Sequence, residues 1–304
     1  MNNYMKLITI FATLMVTACS DDAEPQNTAD AGDVGGATST LAYSDFTLPN
    51  LGADFVYEGW LIVDDKPVSA GRFSVDDNGV ATPASFELSS DDASAAPVFV
   101  LTIEPATGDA PEPADTHILA GALSQGAATL STDHGAAINT DFSSAAGSYI
   151  LATPTTGDNA TLGEQGIWWL VPGKAPSAGL TLPDLPAGWV YEGWIVNAAG
   201  PVSTGRFSDP GAADADGAGA TKGPMGDGPP FPGQDFINPA TVLNDGATTA
   251  VISVEPDPDN SAMPFLIKPL VHMPIGTEIV PTSHSMTNNA ANTLPAATIT
   301  ITAN

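Results

Sequence analysis

The sequence predicts an all-β protein built as two tandem β-sandwich domains, and three observations predict it. A segment of more than a hundred residues occurs twice. Within each copy the apolar residues gather in short aromatic and β-branched runs, separated by turns drawn from 30 glycines and 27 prolines. No stretch sustains the 3.6-residue apolar period of an amphipathic helix. Many short, turn-punctuated strands favour a sandwich over a barrel.

The duplication is legible residue by residue. Leu48-Pro-Asn-Leu-Gly-Ala-Asp-Phe-Val-Tyr-Glu-Gly-Trp60 returns as Leu182-Pro-Asp-Leu-Pro-Ala-Gly-Trp-Val-Tyr-Glu-Gly-Trp194. Pro67-Val-Ser-Ala-Gly-Arg-Phe-Ser74 returns as Pro201-Val-Ser-Thr-Gly-Arg-Phe-Ser208, and Val100-Leu-Thr-Ile-Glu-Pro105 as Val251-Ile-Ser-Val-Glu-Pro256. The offset grows from 134 to 151, so the second copy carries an insertion of 17 residues within the Gly/Pro/Asp-rich stretch Asp209 to Asn244. The ends match more loosely, Ser148-Tyr-Ile-Leu-Ala-Thr153 with Ala297-Thr-Ile-Thr-Ile-Thr302. A repeat of this length is a whole domain, large enough for its own core. The expected organisation is a signal peptide over 1–18, a flexible tether over 19–42, one domain over 43–160 and a second over 161–304, each able to fold by itself.

Each element has a local reason. Phe55 to Val63 is an aromatic and β-branched strand that ends at the polar turn Asp64-Asp65-Lys66-Pro67 and returns as a second strand into Phe73. Two such runs across a short polar turn make a hairpin. Val98 to Glu104, Ala128 to Ser131, Ser148 to Thr153 and Gly166 to Val171 are the further strands. From Ser20 to about Thr40 few side chains are worth burying, so that stretch reads as a tether.

The N-terminus reads as an export signal: one lysine, the apolar run Leu7 to Val16, then Thr17-Ala18-Cys19-Ser20. A run of ten residues is half of the ~20 that a spanning helix needs. Val16-Thr17-Ala18-Cys19 resembles the bacterial lipobox, which implies that Cys19 is lipidated and becomes the mature N-terminus. Ser20, where an aspartate would mark retention, resembles the pattern that sorts lipoproteins to an outer membrane. Localisation in the cell envelope follows, with lipid on Cys19 as the membrane contact. Cys19 is the only cysteine, so with it acylated no disulfide, thiolate zinc site or cysteine nucleophile can form.

Charge narrows the partners further. Removal of Lys6 with the signal leaves six Lys and Arg against 35 acids, a formal charge of −29. Such a surface repels nucleic acid and anionic headgroups.

The run LPNLGADFVYEGWLIVDDKPVSAGRFSVDDNG, followed by FVLTIEPATGDAPEPADTHILAG, resembles the extracytoplasmic C-terminal domain of the anti-sigma-K factor family. The resemblance covers most of 46–121 and, more weakly, 180–271. It implies a β-sandwich, sensor-like domain outside the cytoplasm. The cytoplasmic anti-sigma domain and the transmembrane helix of that family have no counterpart here, so the resemblance does not carry anti-sigma activity with it.

Candidate site residues follow from the duplication. The only two arginines, Arg72 and Arg206, hold the same position in the two copies, as do Glu58 and Glu192. In a hairpin each arginine lies near the glutamate, or near Tyr57 and Tyr191, depending on register. Two readings stand: a structural ion pair or aromatic stack, or a hold on a carboxylate or phosphate ligand. Trp60 and Trp194, each after a glycine, read as core. Trp168 and Trp169 are adjacent, so in a strand they face opposite ways. One is then core and the other is a candidate partner contact, as are Phe231 and Phe236 on the inserted loop. The acidic stretch around Asp214 and Asp216 reads as a solvated loop. No catalytic motif, no metal-ligand spacing among the four histidines and no cofactor motif is present. The sequence therefore predicts a non-catalytic binding or sensing module whose partner is an envelope protein. The alternatives are a cell-surface adhesive or carbohydrate-binding lipoprotein, and a hydrolase with a site assembled from loops.

Overall fold

The tether ends earlier, and the first sheet begins sooner, than composition suggests. The computed structural model describes residues 36–259 and 261–304; the expected signal peptide, Cys19 and the tether as far as residue 35 lie outside them. β1 (Thr38–Ser44) takes in residues expected to be tether. Its inward positions are Ser39, Leu41 and Tyr43, with Leu41 fully buried and the Tyr43 ring 4.6 Å from Phe73. Thr38, Thr40, Ala42 and Ser44 take the outward places, so only two of seven side chains are apolar and large, and composition hides the alternation.

β2 (Phe55–Val63) and β3 (Lys66–Val75) form the predicted hairpin. Asp64 and Asp65 both adopt positive φ, 49° and 60°, the conformation whose twist suits a two-residue hairpin turn. A bulge at Gly59/Trp60 shifts the register. β4 (Ala81–Thr82), β5 (Ser85–Ser89), the short helix α1 (Ser90–Ala95), β6 (Val98–Pro105), β7 (His117–Ala122), β8 (Ala127–Ser131) and β9 (Ala146–Leu151) follow. The second half then opens with α2 (Asn159–Leu162) and the two-residue strands β10 (Ile167–Trp168), β11 (Leu170–Val171), β12 (Ser177–Ala178) and β13 (Leu180–Thr181). It repeats the hairpin as β14 (Trp189–Asn197) and β15 (Gly200–Phe207). β16 (Gly233–Gln234), β17 (Thr249–Pro256), β18 (Leu270–His272), β19 (His284–Ser285), β20 (Thr287–Asn288) and β21 (Ala296–Ala303) complete the chain.

The protein is all-β, as expected, but its strand pairing crosses the expected domain boundary. A nine-stranded antiparallel sheet has the order β4-β3-β2-β6-β7-β8-β21-β1-β5, so the C-terminal strand sits inside the sheet of the first copy. The reciprocal holds: β9, at the end of the first copy, pairs with β10, β13 and β19 of the second. β21 pairs with β1, just before the first LPxL motif, as β9 pairs with β13, just before the second. Each copy thus takes its closing strand from the other. The hairpin of the second copy lies in a separate sheet of order β15-β14-β17-β18-β20. One continuous apolar core runs from Leu41 through Tyr57, Phe99, Trp169 and Tyr191 to Ile299, and the described residues form one compact unit. Two separate sandwiches divided at 160/161 do not describe it. The two ends are similar enough in strand pattern for either to fill either slot, and exchange of like elements costs little. No helix among the described residues is long and apolar enough to cross a membrane.

Candidate functional site

The register that sequence left open is settled by the hairpins. Glu58 lies directly opposite Arg72 and Glu192 directly opposite Arg206. Arg72 Nε is 3.3 Å from Glu58 Oε2, and its Nη2 is 3.3 Å from Asp109 Oδ2 and donates to the carbonyl of Pro105. Arg206 repeats this with Glu192 at 3.8 Å, Asp257 at 3.4 Å and the carbonyl of Pro256 at 2.9 Å. Both glutamates are buried. Ser69 donates to Glu58 at 2.5 Å, and Ser203 donates to Glu192. Burial raises both carboxyl pKa values, while the serine hydroxyl and the guanidinium work against that shift. Paired in charge with the glutamate and a second acid, and donating to the carbonyl of Pro105 or Pro256, each arginine ties β2–β3 to the end of β6, or β14–β15 to the end of β17. That is the structural reading of the pair. The tyrosines are engaged elsewhere: Tyr57 donates to the carbonyl of Pro49 at 2.9 Å and Tyr191 to that of Pro183 at 2.6 Å.

A second buried carboxylate stands behind each pair. Trp60 Nε1 donates to Thr102 at 2.9 Å, Thr102 donates to Glu104, and the N–H of Ala114 donates to Glu104 at 2.9 Å. In the second copy Trp194 donates to Ser253 at 2.8 Å, Ser253 donates to Glu255, and the N–H of Phe265 reaches Glu255 at 2.9 Å. Burial pushes Glu104 and Glu255 up to about 7 against these donors. Sequence reasoning missed the pair, although the matched Glu-Pro of both copies was its signal: a glutamate kept inside an apolar strand must have partners. In the second copy Glu192, Glu255 and Asp259 each bring one carboxylate oxygen within 4.8 Å of the others. Glu192 is held by Ser203 and Arg206 and Glu255 by Ser253 and the N–H of Phe265, while Asp259 accepts from the N–H of Ser261 at 2.8 Å, and we assign no metal there. Asp214, expected in a solvated loop, is buried. Its carboxylate packs over Gly205 and accepts from the N–H of Gly233 at 2.9 Å, at the place where Phe86 covers Gly71 in the first copy.

The expected aromatic contacts are mostly interior. Trp168 and Trp169 do face opposite ways, yet both are fully buried. Trp169 enters the main core, its ring centroid 5.4 Å from that of Tyr149. Trp168 lies in a second cluster with Ile150, Ala218 and Phe231, and donates to Asp235 at 2.7 Å. The insertion supplies Ala218, Phe231 and Asp235, so its role at this point is to cover Trp168. Phe231 is buried and Phe236 half-buried. As exposed anchors Trp168, Trp169 and Phe231 are corrected to core, because the inserted loop folds back over the sheet. The glycine before each strand tryptophan makes room for rings from elsewhere in the core: a Cβ at Gly59 would strike Phe99 and Tyr43, and one at Gly193 would strike Trp169.

An open feature lies elsewhere. The loop that opens the first copy faces the loop after β17 across a half-open cleft of about 550 Å³. Leu51, Phe55 and Ile103 wall one side, and Met263, Phe265 and Leu266 the other. Asp54, Asp77 and Asp259 also line it, as does Lys268. Lys268 is half-buried and donates to the carbonyls of Phe265 at 2.6 Å and Leu266 at 3.5 Å. Burial lowers its pKa, and Glu255 opposes that shift.

Together these features define an all-β protein in which matched hairpins are locked by internal Glu–Arg pairs. Residues 20–118 match the family described as anti-sigma-K factor rskA, C-terminal, which takes in the first hairpin and β6. The matched stretch is about a third of the chain. No curated protein and no solved structure matches it.

Proposed function

We propose that this chain is a non-catalytic binding or sensing module, held outside the cytoplasm by lipid on Cys19, that acts through contact with an envelope protein. The observation that carries the reading is the match of residues 20–118 to the anti-sigma-K factor C-terminal family, a regulatory family, in a stretch that begins one residue after the lipobox cysteine. The internal placement of both Glu–Arg pairs supports it, since the residues best suited to hold a charged substrate are spent on one another. Lipidation is tested by labelled palmitate, which should enter the wild-type chain and not Cys19→Ser. Equal labelling of both removes the anchor. The binding role is tested by cross-linking in the intact envelope: one defined partner should be recovered with the wild type and lost when the anchor is lost. Hydrolysis of a peptide or sugar library by the purified chain, with no partner recovered, would replace this reading with an enzyme.

A further inference from the structure

We propose that Asp214 and Asp216, on the Gly/Pro/Asp-rich stretch of the second copy, hold a hard divalent cation, calcium, between their carboxylates. The proposal does not rest on the binding-module reading. Asp214 leaves only 8% of its surface in water. Its Oδ2 packs over Gly205 and accepts from the N–H of Gly233 at 2.9 Å. Its Oδ1 is buried without a donor, and among the described residues it is the only carboxylate oxygen so placed. A buried oxygen left in that state is costly. The other buried acids among the described residues are met. Glu58 and Glu192 have a serine and an arginine, Glu104 and Glu255 a hydroxyl and an N–H, and Asp235 has Thr155 and Trp168.

What stands beside Asp214 is a second acid. Asp216 is exposed, and its carboxyl lies against that of Asp214. Its charge reaches Glu192 as well. Among the described residues neither Asp214 nor Asp216 is ion-paired with a lysine, arginine or histidine. Two facing carboxylates need something positive between them. A single proton would join the pair and still leave one negative charge beside Glu192. A divalent cation neutralises both acids and relieves Glu192 too. Where calcium is withheld the proton takes its place, and burial with the neighbouring Asp216 raises the Asp214 carboxyl accordingly. Oxygen donors on an irregular loop suit calcium, which takes about six to eight oxygens in flexible geometry, over magnesium, which demands a near-ideal octahedron. The protein supplies two carboxylates and water the remaining places, so the affinity is weak, with Kd about 0.1–1 mM. The same loop covers Trp168 through Ala218, and the ion would fasten that cover.

Calcium chloride titrated into the full chain tests this, followed by amide resonances. The N–H of Gly233, bonded to Asp214, and that of Asp216 should shift together and saturate with Kd about 0.1–1 mM. Potassium chloride at matched ionic strength should not reproduce the shifts. Asp216→Asn, a change at the surface, should weaken calcium on the order of tenfold, and Asp214→Asn should remove binding at this loop. Asp77→Asn, at an exposed acid of the first copy, should leave the affinity as it was. Shifts that potassium reproduces, an affinity that Asp216→Asn leaves unaltered or that Asp77→Asn weakens equally, or no saturation by about 10 mM calcium overturns the site, and the two carboxyls are then joined by a proton alone.

Discussion

Arg72 and Glu58 show how a single pair can be read correctly in kind and still hide its weight. The guanidinium is a third exposed while the carboxylate is nearly covered, so the two halves of the pair are not equivalent. Removing the arginine leaves a buried acid without its cation, and the cost is set by that orphan more than by the lost contact. Arg72→Met should therefore lower stability by about 1–3 kcal/mol in urea unfolding while leaving partner binding in place. Lost binding with unchanged stability would make the arginine a ligand site. The deeper carboxyls give a second prediction. Folding raises Glu104 and Glu255 from an ordinary 4.5 to about 7, so between those values the folded chain holds protons that the unfolded chain has released. Their stabilisation is complete below the unfolded value and is lost as pH rises through about 7. Glu58, Glu192, Asp214 and Asp235 are raised as well and act in the same sense. The urea midpoint should fall from about pH 5 to about pH 8, and Glu104→Gln with Glu255→Gln should reduce that slope.

At the scale of the element, β21 is the strand on which the first sheet depends. It lies between β8 and β1 and pairs with both. Ile299 is fully buried on its inner face and Ala297 nearly so. Ile299→Ala should cost about 2–5 kcal/mol, the usual range for a buried Ile-to-Ala change, although the residue lies five places from the C-terminus, where truncation is ordinarily tolerated. Deleting 296–304 would open the ladder edges of both β8 and β1. The truncated chain should then lose cooperative unfolding, and a synthetic peptide of the same nine residues added in excess should restore it, read by near-UV circular dichroism. Full cooperativity without the segment would show that β1 and β8 can close on each other. The hairpin is the contrasting element. Its strands, turn and bulge are all local, and it forms in the same register in both copies.

For the whole molecule the exchange of closing strands decides how the chain can be divided. A fragment 161–304 lacks β9, which pairs with β10, β13 and β19, and its own β21 has no sheet to enter. Such a fragment should show poor amide dispersion alone, and so should residues 36–160. Mixed, the two should regain the spectrum of the full chain, because every pairing then has its partner. Cooperative folding of 161–304 by itself would mean that the copies can also close without exchange. The cleft is a property of this scale too, since one wall comes from each copy and neither hairpin contains it.

What the sequence by itself determined is local and repeated: the all-β class, the hairpin at 55–73 and its recurrence, the pairing of Glu58 with Arg72 and Glu192 with Arg206 as a possibility, and the likeness to the anti-sigma-K factor C-terminal domain. These follow from residue pattern within short spans, where turn chemistry and the period of two leave few alternatives. Tertiary structure alone decided the register of those pairs and the partners of β9 and β21. It also buried Trp168 and Phe231 under the insertion and brought the two walls of the cleft together. Each of these depends on contacts between residues far apart in the chain. A strand's side-chain pattern states which face is apolar and says nothing about which neighbour covers it: SYILAT and ATITIT suit either sheet, and closure of the single core settles which one each enters.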